Sequence, residues 1–139
     1  MNAAADFALD PRLAADTQPV ADLPLSRLLL MDDARYGWLV LVPRRAGLRE
    51  LADLSRADQH RLLDEIEIAR TALAALGPYD KLNLGALGNV VEQLHVHVIA
   101  RHRDDAAWPG PVWGHSPRLA HAAGALAERL QRLRGALPP

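Results

Sequence analysis

The sequence predicts an α+β fold, a mainly antiparallel sheet with one long helix packed on it and an additional C-terminal helix. Three observations lead there. The short apolar runs Arg27–Met31 and Trp38–Val42, separated by turn residues, read as two strands of a hairpin. Leu62, Ile66, Ala69, Leu73 and Leu76 recur at helical spacing and read as one amphipathic helix. From Gln93 to Arg101 polar and apolar residues alternate, as they do in a half-buried strand. At 139 residues the chain is long enough for a single domain with its own core. That domain is expected to span residues 1–139, with a core over about 24–104 and a C-terminal loop and helix over 105–139.

Composition narrows the function classes. Half of the residues are hydrophobic, which disfavours global disorder. The formal net charge is -1, without any run of Lys or Arg, so a non-specific grip on nucleic acid is not expected. With no Cys there is neither a disulfide framework nor a thiolate metal site. No apolar segment approaches the length of a bilayer span, and the N-terminus lacks a basic start followed by an apolar core. The expectation is a soluble cytoplasmic protein without membrane contact.

Taken in order, residues 1–24 mix Ala, Asp and Pro with isolated apolar residues and read as a mostly irregular lead-in. Val20 and Leu23 fit a short edge strand at most. In the second run, β-branched residues and the following Pro43 favour strand over buried helix. Ser55, followed three residues later by Asp58, announces a helix over about Arg56 to Leu76. Gly77-Pro78 ends it. Leu82–Leu87 reads as a strand that turns at Gly88-Asn89 into the histidine strand. Trp108–Gly114 is a Pro- and Gly-rich loop. Ser116 as N-cap with Pro117 at the first helical position predicts the start of the last helix, with an apolar stripe from Leu119 to Leu133.

The histidine strand carries the candidate chemistry. Successive side chains in a strand point to opposite faces. Leu94, Val96, Val98 and Ala100 then share a core face, while Gln93, His95 and His97 share the other. His102 falls on the opposite face and is left out of the site. A neutral imidazole is a competent nucleophile toward activated phosphorus, and a second one beside it can hold phosphate oxygens or assist the leaving group. Asn83 and Asn89 offer uncharged amide donors, although Asn is also an ordinary turn residue.

The run Gly88-Asn89-Val90-Val91-Glu92-Gln93-Leu94-His95-Val96-His97-Val98-Ile99 resembles the signature of the histidine-triad family of nucleotide hydrolases and transferases. Asn89 stands where that family usually has Gln, and Gln93 stands where it has the first histidine. The segment Asp32–Arg45 also resembles the family's hairpin, with a shorter connection. The likeness covers roughly Leu28 to Arg103.

The resemblance implies that His95 is the nucleophile and forms a nucleotidyl-histidine intermediate at the α-phosphate of a dinucleoside polyphosphate or nucleoside phosphoramidate. It implies that His97 contacts the phosphate and leaving-group oxygens, with Gln93 ordering the site. Asn83 and Asn89 match phosphate-binding positions. Asp32 matches a residue that accepts hydrogen bonds from ribose hydroxyls, with Asp33 as competitor. Leu28, Leu30 and Trp38 serve as walls for a base or as core. A homodimer is implied, and neither a cofactor nor a metal. Trp108-Pro109-Gly110 resembles, in composition only, a segment that closes the partner subunit's site in some members; packing of the last helix is the alternative. Two rivals stand beside this reading: a nucleotide-binding module with little turnover, and a metal site on His95 and His97 with Asp104 or Asp105, for which two imidazoles alone are too few ligands.

Overall fold

The structure, a computed structural model, describes residues 6–139; the first five residues of the lead-in lie outside the described residues. The rest of the lead-in is not irregular. Asp10 caps a short helix, α1 (Pro11–Asp16), accepting the Arg12 N–H, and Pro11 sits in the first turn where no backbone partner is lost. The chain continues into β1 (Thr17–Asp22), which pairs antiparallel with β2 (Ser26–Met31). β1 contains Pro19, which cannot donate to a ladder. An edge strand tolerates it, because one side of the strand has no ladder to complete. The sheet therefore begins ahead of residue 24.

β2 pairs with β3 (Gly37–Pro43), giving the expected hairpin. β5 (Val96–Arg101) lies between β3 and β4 (Lys81–Gly85). The order is β1-β2-β3-β5-β4 with every neighbour antiparallel. With helices α2 (Arg56–Ala74) and α3 (Ala123–Gly135), this is the predicted α+β architecture with a C-terminal helix.

One sheet face packs on the helices. Leu28, Leu30, Leu39, Leu41, Val96 and Val98 meet Leu62, Ala69 and Leu73 of α2 and Leu133 of α3. Ser55 caps α2 through the Asp58 N–H, while the Asp58 carboxylate holds Arg45 and Arg61. Glu65, on the buried side of α2, accepts the N–H groups of Leu25 and Ser26 at 2.7 and 2.9 Å, tying the helix to the start of β2.

The other face, expected to be solvated, is also buried. Trp38, Val40 and Ile99 pack there with Leu13 from α1 and Val112 from the loop after β5, and Phe7, Leu9 and Trp113 pack against them. All six residues of β5 are buried. The half-buried reading of that strand is therefore corrected: the N-terminal segment and the loop after β5 fold over its histidine side.

The last helix also starts later than predicted. Residues 116–121 run along the β2–β3 turn instead of coiling. Ala34 N–H bonds Leu119 O, Arg35 bonds Ser116 Oγ and Pro117 O, and the His121 N–H bonds Asp32. These tertiary partners use the polar groups that the Ser116-Pro117 signal would have committed to a helix start. Leu119 is consequently exposed and outside α3.

Candidate active site

His95 lies just before β5 and His97 within it, and the two rings approach edge-on with centroids 4.9 Å apart. Both are buried, at 7% and 5% exposure. His95 Nδ1 lies 2.7 Å from the main-chain oxygen of Gln93. A carbonyl oxygen only accepts, so Nδ1 carries the proton and the His95 lone pair resides on Nε2. His97 Nδ1 accepts from the Trp38 indole N–H at 2.9 Å. Burial, with a smaller contribution from His95, pushes the His97 pKa down to about 4. The centre thus pairs an imidazole with a free Nε2 lone pair and a second imidazole that stays neutral at physiological pH.

The β4–β5 register places Asn83 opposite Ile99 and Gly85 opposite His97, so Asn83 stands on the histidine face. Its Oδ1 accepts from Arg101 at 2.8 Å, which fixes the amide and leaves Nδ2–H₂ as the group to offer. Arg101 is itself buried and held at Nε and a terminal nitrogen by the Asp105 carboxylate. The Arg101 hydrogen bonds keep that carboxyl down at about 2. Asp105, considered above as a third metal ligand, is therefore committed to Arg101. Asn89 is exposed in the loop between β4 and β5, beside Gly88 at φ +72°.

Two expected site residues have their side chains engaged elsewhere. The Gln93 amide accepts from Asp10 N–H at 2.8 Å and donates to Ala8 O at 2.9 Å, pinning the N-terminal segment. What Gln93 brings to His95 is its main-chain oxygen. The Asp32 carboxylate accepts from the His121 N–H and from His121 Nδ1 at 2.8 and 2.7 Å, with Arg118 3.5 Å away. The two His121 bonds hold its pKa below the ordinary carboxylate value. Asp33 is paired with Arg35. Burial works to raise the Asp33 pKa, but the Arg35 bonds and charge outweigh it and the net shift is downward.

His97 opens into a cavity of ≈ 380 Å³ whose walls include Trp38, Met31, Val112 and Trp113, with Arg35 and Arg118 further along. His95 faces a second one of ≈ 320 Å³ beside Gly88 and Arg49. Trp113 meets the His97 ring edge-on at 5.4 Å, and Trp108 lies over the Arg101 guanidinium. Packing of the last helix does not account for either tryptophan. The hydrogen bond from Trp38 and the cover from Trp113 escaped sequence reasoning. The only local hint was that a chain 4% aromatic places Trp on both segments.

An antiparallel sheet with the long helix α2 and the C-terminal helix α3 on one face and paired imidazoles on the other defines the class, a small α+β protein with a histidine centre. The HIT domain pattern matches residues 12–104, and the chain belongs to the histidine-triad family. It is similar to a histidine triad protein from Bradyrhizobium japonicum, with 47% identity over 95% of this chain and 98% of that one and a TM-score of 0.91. A histidine triad protein from Sinorhizobium meliloti is 41% identical over 96% and 98% of the two chains, with a TM-score of 0.91. Another, from Marinobacter aquaeolei, is 42% identical over 94% and 96%, with a TM-score of 0.89. Among curated proteins none matches. Members of the family are generally nucleotide hydrolases or transferases. Among the described residues no helix is long and apolar enough to cross a membrane.

Proposed function

We propose that the protein is a nucleotide hydrolase or nucleotidyl transferase acting at the α-phosphate of a nucleoside phosphate derivative through a nucleotidyl-His95 intermediate. The observation that carries this reading is the 2.7 Å contact between His95 Nδ1 and Gln93 O, which leaves the Nε2 lone pair free beside a second imidazole. Nε2 forms a bond to phosphorus and the bond to the leaving group breaks with its electron pair; a water oxygen then bonds to the same phosphorus as the P–Nε2 bond breaks, its pair returning to Nε2, and the nucleoside monophosphate and a proton are released. His97 Nε2–H donates to a phosphate oxygen, and the Asn83 and Asn89 amides with the backbone near Gly88 hold the others. The chain represents a subgroup in which Gln93 replaces the first histidine and acts through its main-chain oxygen. Ribose hydroxyls reach Asp32 only where they displace His121.

A homodimer fits the exposed apolar residues Leu51, Leu63, Leu84 and Leu87 on and around the unpaired edge of β4. A cytoplasmic location is the setting in which such nucleotide substrates occur.

The test is intact-mass analysis of the protein quenched during reaction with a panel of dinucleoside polyphosphates and nucleoside phosphoramidates. A nucleotidyl adduct on the peptide containing His95, absent from His95→Ala, is expected together with loss of turnover. Nucleotide binding without adduct or product would instead make the protein a binding module.

A further inference from the structure

The indole Nε1 of Trp38 has a hydrogen to donate and no lone pair to accept with. At 2.9 Å it leaves His97 Nδ1 no role except acceptor, so the ring proton of His97 sits on Nε2. The bond is well enforced. In the β3–β5 register Trp38 faces Ile99 and Val40 faces His97, so indole and imidazole stand on one sheet face a residue pair apart. Tyr36 braces the indole edge-on at 6.1 Å, and Trp113 closes the other side of the imidazole. Among the described residues the other imidazole against His97 is that of His95. The charged groups lining its cavity are Asp16, Asp33, Arg35 and Arg118, and Arg35 and Arg118 pair with these carboxylates and with Asp32. The carboxylates of the cavity are thus held in arginine ion pairs.

We propose that Trp38 is a positioning residue that holds His97 as a neutral Nε2–H donor, and thereby suits this centre to phosphoanhydrides and not to phosphoramidates. The inference rests on the nucleotidyl-His95 reading. When His95 Nε2 bonds to the phosphorus of an anhydride, the P–O bond breaks and the electron pair leaves on a phosphate oxygen, which is stable as an anion and needs no proton. When the substrate is a phosphoramidate, the P–N bond breaks and the pair lands on nitrogen, which departs only as it gains a proton. His97 cannot supply it. Losing the Nε2 proton while Nδ1 accepts from the indole would leave an imidazolate, and gaining one at Nδ1 would break the Trp38 bond. The substrates favoured are therefore dinucleoside polyphosphates or other nucleotides whose leaving group is a phosphate.

The tautomer is read on the unliganded full chain by long-range ¹H–¹⁵N correlation of ¹⁵N-histidine-labelled protein from about pH 8 to about pH 5. The expected result is the Nε2–H form of His97 throughout, without titration near the ordinary value of about 6.5. An Nδ1–H form, or titration of His97 near that value, overturns the proposal whatever the activity proves to be. Trp38→Phe frees Nδ1 and should mix the tautomers, while burial still holds the titration below the ordinary range; an unchanged tautomer there counts against Trp38.

In turnover, a diadenosine polyphosphate and an alkylamine phosphoramidate of adenosine are compared. The unmodified protein should favour the anhydride in kcat by roughly a hundredfold or more, the scale of a missing general acid. Trp38→Phe should narrow that gap, increasingly so toward acid pH, where the freed Nδ1 can take up a proton. Equal rates on the two substrates in the unmodified protein sink the substrate restriction. Absence of any nucleotidyl-His95 with either one sinks the proposed function and the restriction with it, while the spectra still decide the tautomer.

Discussion

Gly85 lacks a side chain at a point where Trp113 fills the space one would need. A Cβ there would stand 2.7 Å from Trp113 Cη2 and 3.0 Å from Cζ2, with His97 on the paired position of β5. The glycine is reserved by close approach, since its φ is not in the left-handed region. Gly85→Ala should therefore push Trp113 off His97 and destabilise the protein by about 1–3 kcal/mol, as overpacking does. Because Trp113→Ala removes the obstacle, the double variant should be less destabilised than the sum of the singles. Urea melts of the four proteins check this; strictly additive losses would mean that the indole does not reserve the position. Val40, by contrast, tolerates its place opposite His97 as ordinary core. At this scale the two histidines were legible, because strand parity depends on neighbours two residues apart. Their hydrogen-bond partners were not, because Trp38 lies 59 positions away in sequence and the pairing of β3 with β5 brings it across.

Among the elements, α2 is the one whose sequence pattern and packing agree most closely, yet its attachment to the sheet is polar. Glu65 is 2% exposed and receives two buried backbone donors at the start of β2. Glu65→Ala should leave both unsatisfied, at about 1–3 kcal/mol for each donor. Glu65→Gln keeps one acceptor oxygen and should lose less. Denaturant midpoints that do not separate the two variants would remove this tie from the account. The apolar periodicity that found α2 could not find Glu65, because a carboxylate on the inner stripe reads as a break in the pattern until its partners are seen. The same limit applies at the ends. The Asp10-Pro11 pair that starts α1 carries the cap-then-proline pattern, yet lay inside the lead-in read as irregular. The equivalent Ser116-Pro117 signal was false, since Arg35 claims Ser116 and Pro117 before a helix can.

For the molecule as a whole, acid should weaken the fold in two stages. The His97 pKa is about 4 in the folded protein against 6.5 ordinarily, so between these values the unfolded chain holds a proton that the folded one does not. Its contribution is complete above about pH 6.5 and is lost as the pH falls toward about 4, at no more than about 1.4 kcal/mol per pH unit. Asp105, lowered from 3.8 to about 2 chiefly by Arg101, adds a second loss over that lower interval. Unfolding free energies measured across the acid range should show both, and His97→Gln should erase the first while keeping the second. A stability that stays level between pH 7 and 4 would contradict the burial of His97 as a neutral ring.

The chain by itself determined the α+β class, the hairpin, the long helix and the pair of histidines. Each is a local matter of period, turn chemistry or parity, set by residues within a few positions of one another. Only the tertiary structure decided that the histidine face is roofed by the N-terminal segment and the loop after β5, that Gln93 grips the N-terminal segment and that Asp32 is held by His121. It also decided that an indole donates to His97 Nδ1. Those contacts join residues 59 to 89 positions apart. A polar side chain of that kind has several possible partners in sequence, and the burial that makes one of them obligatory exists only after the sheet has closed.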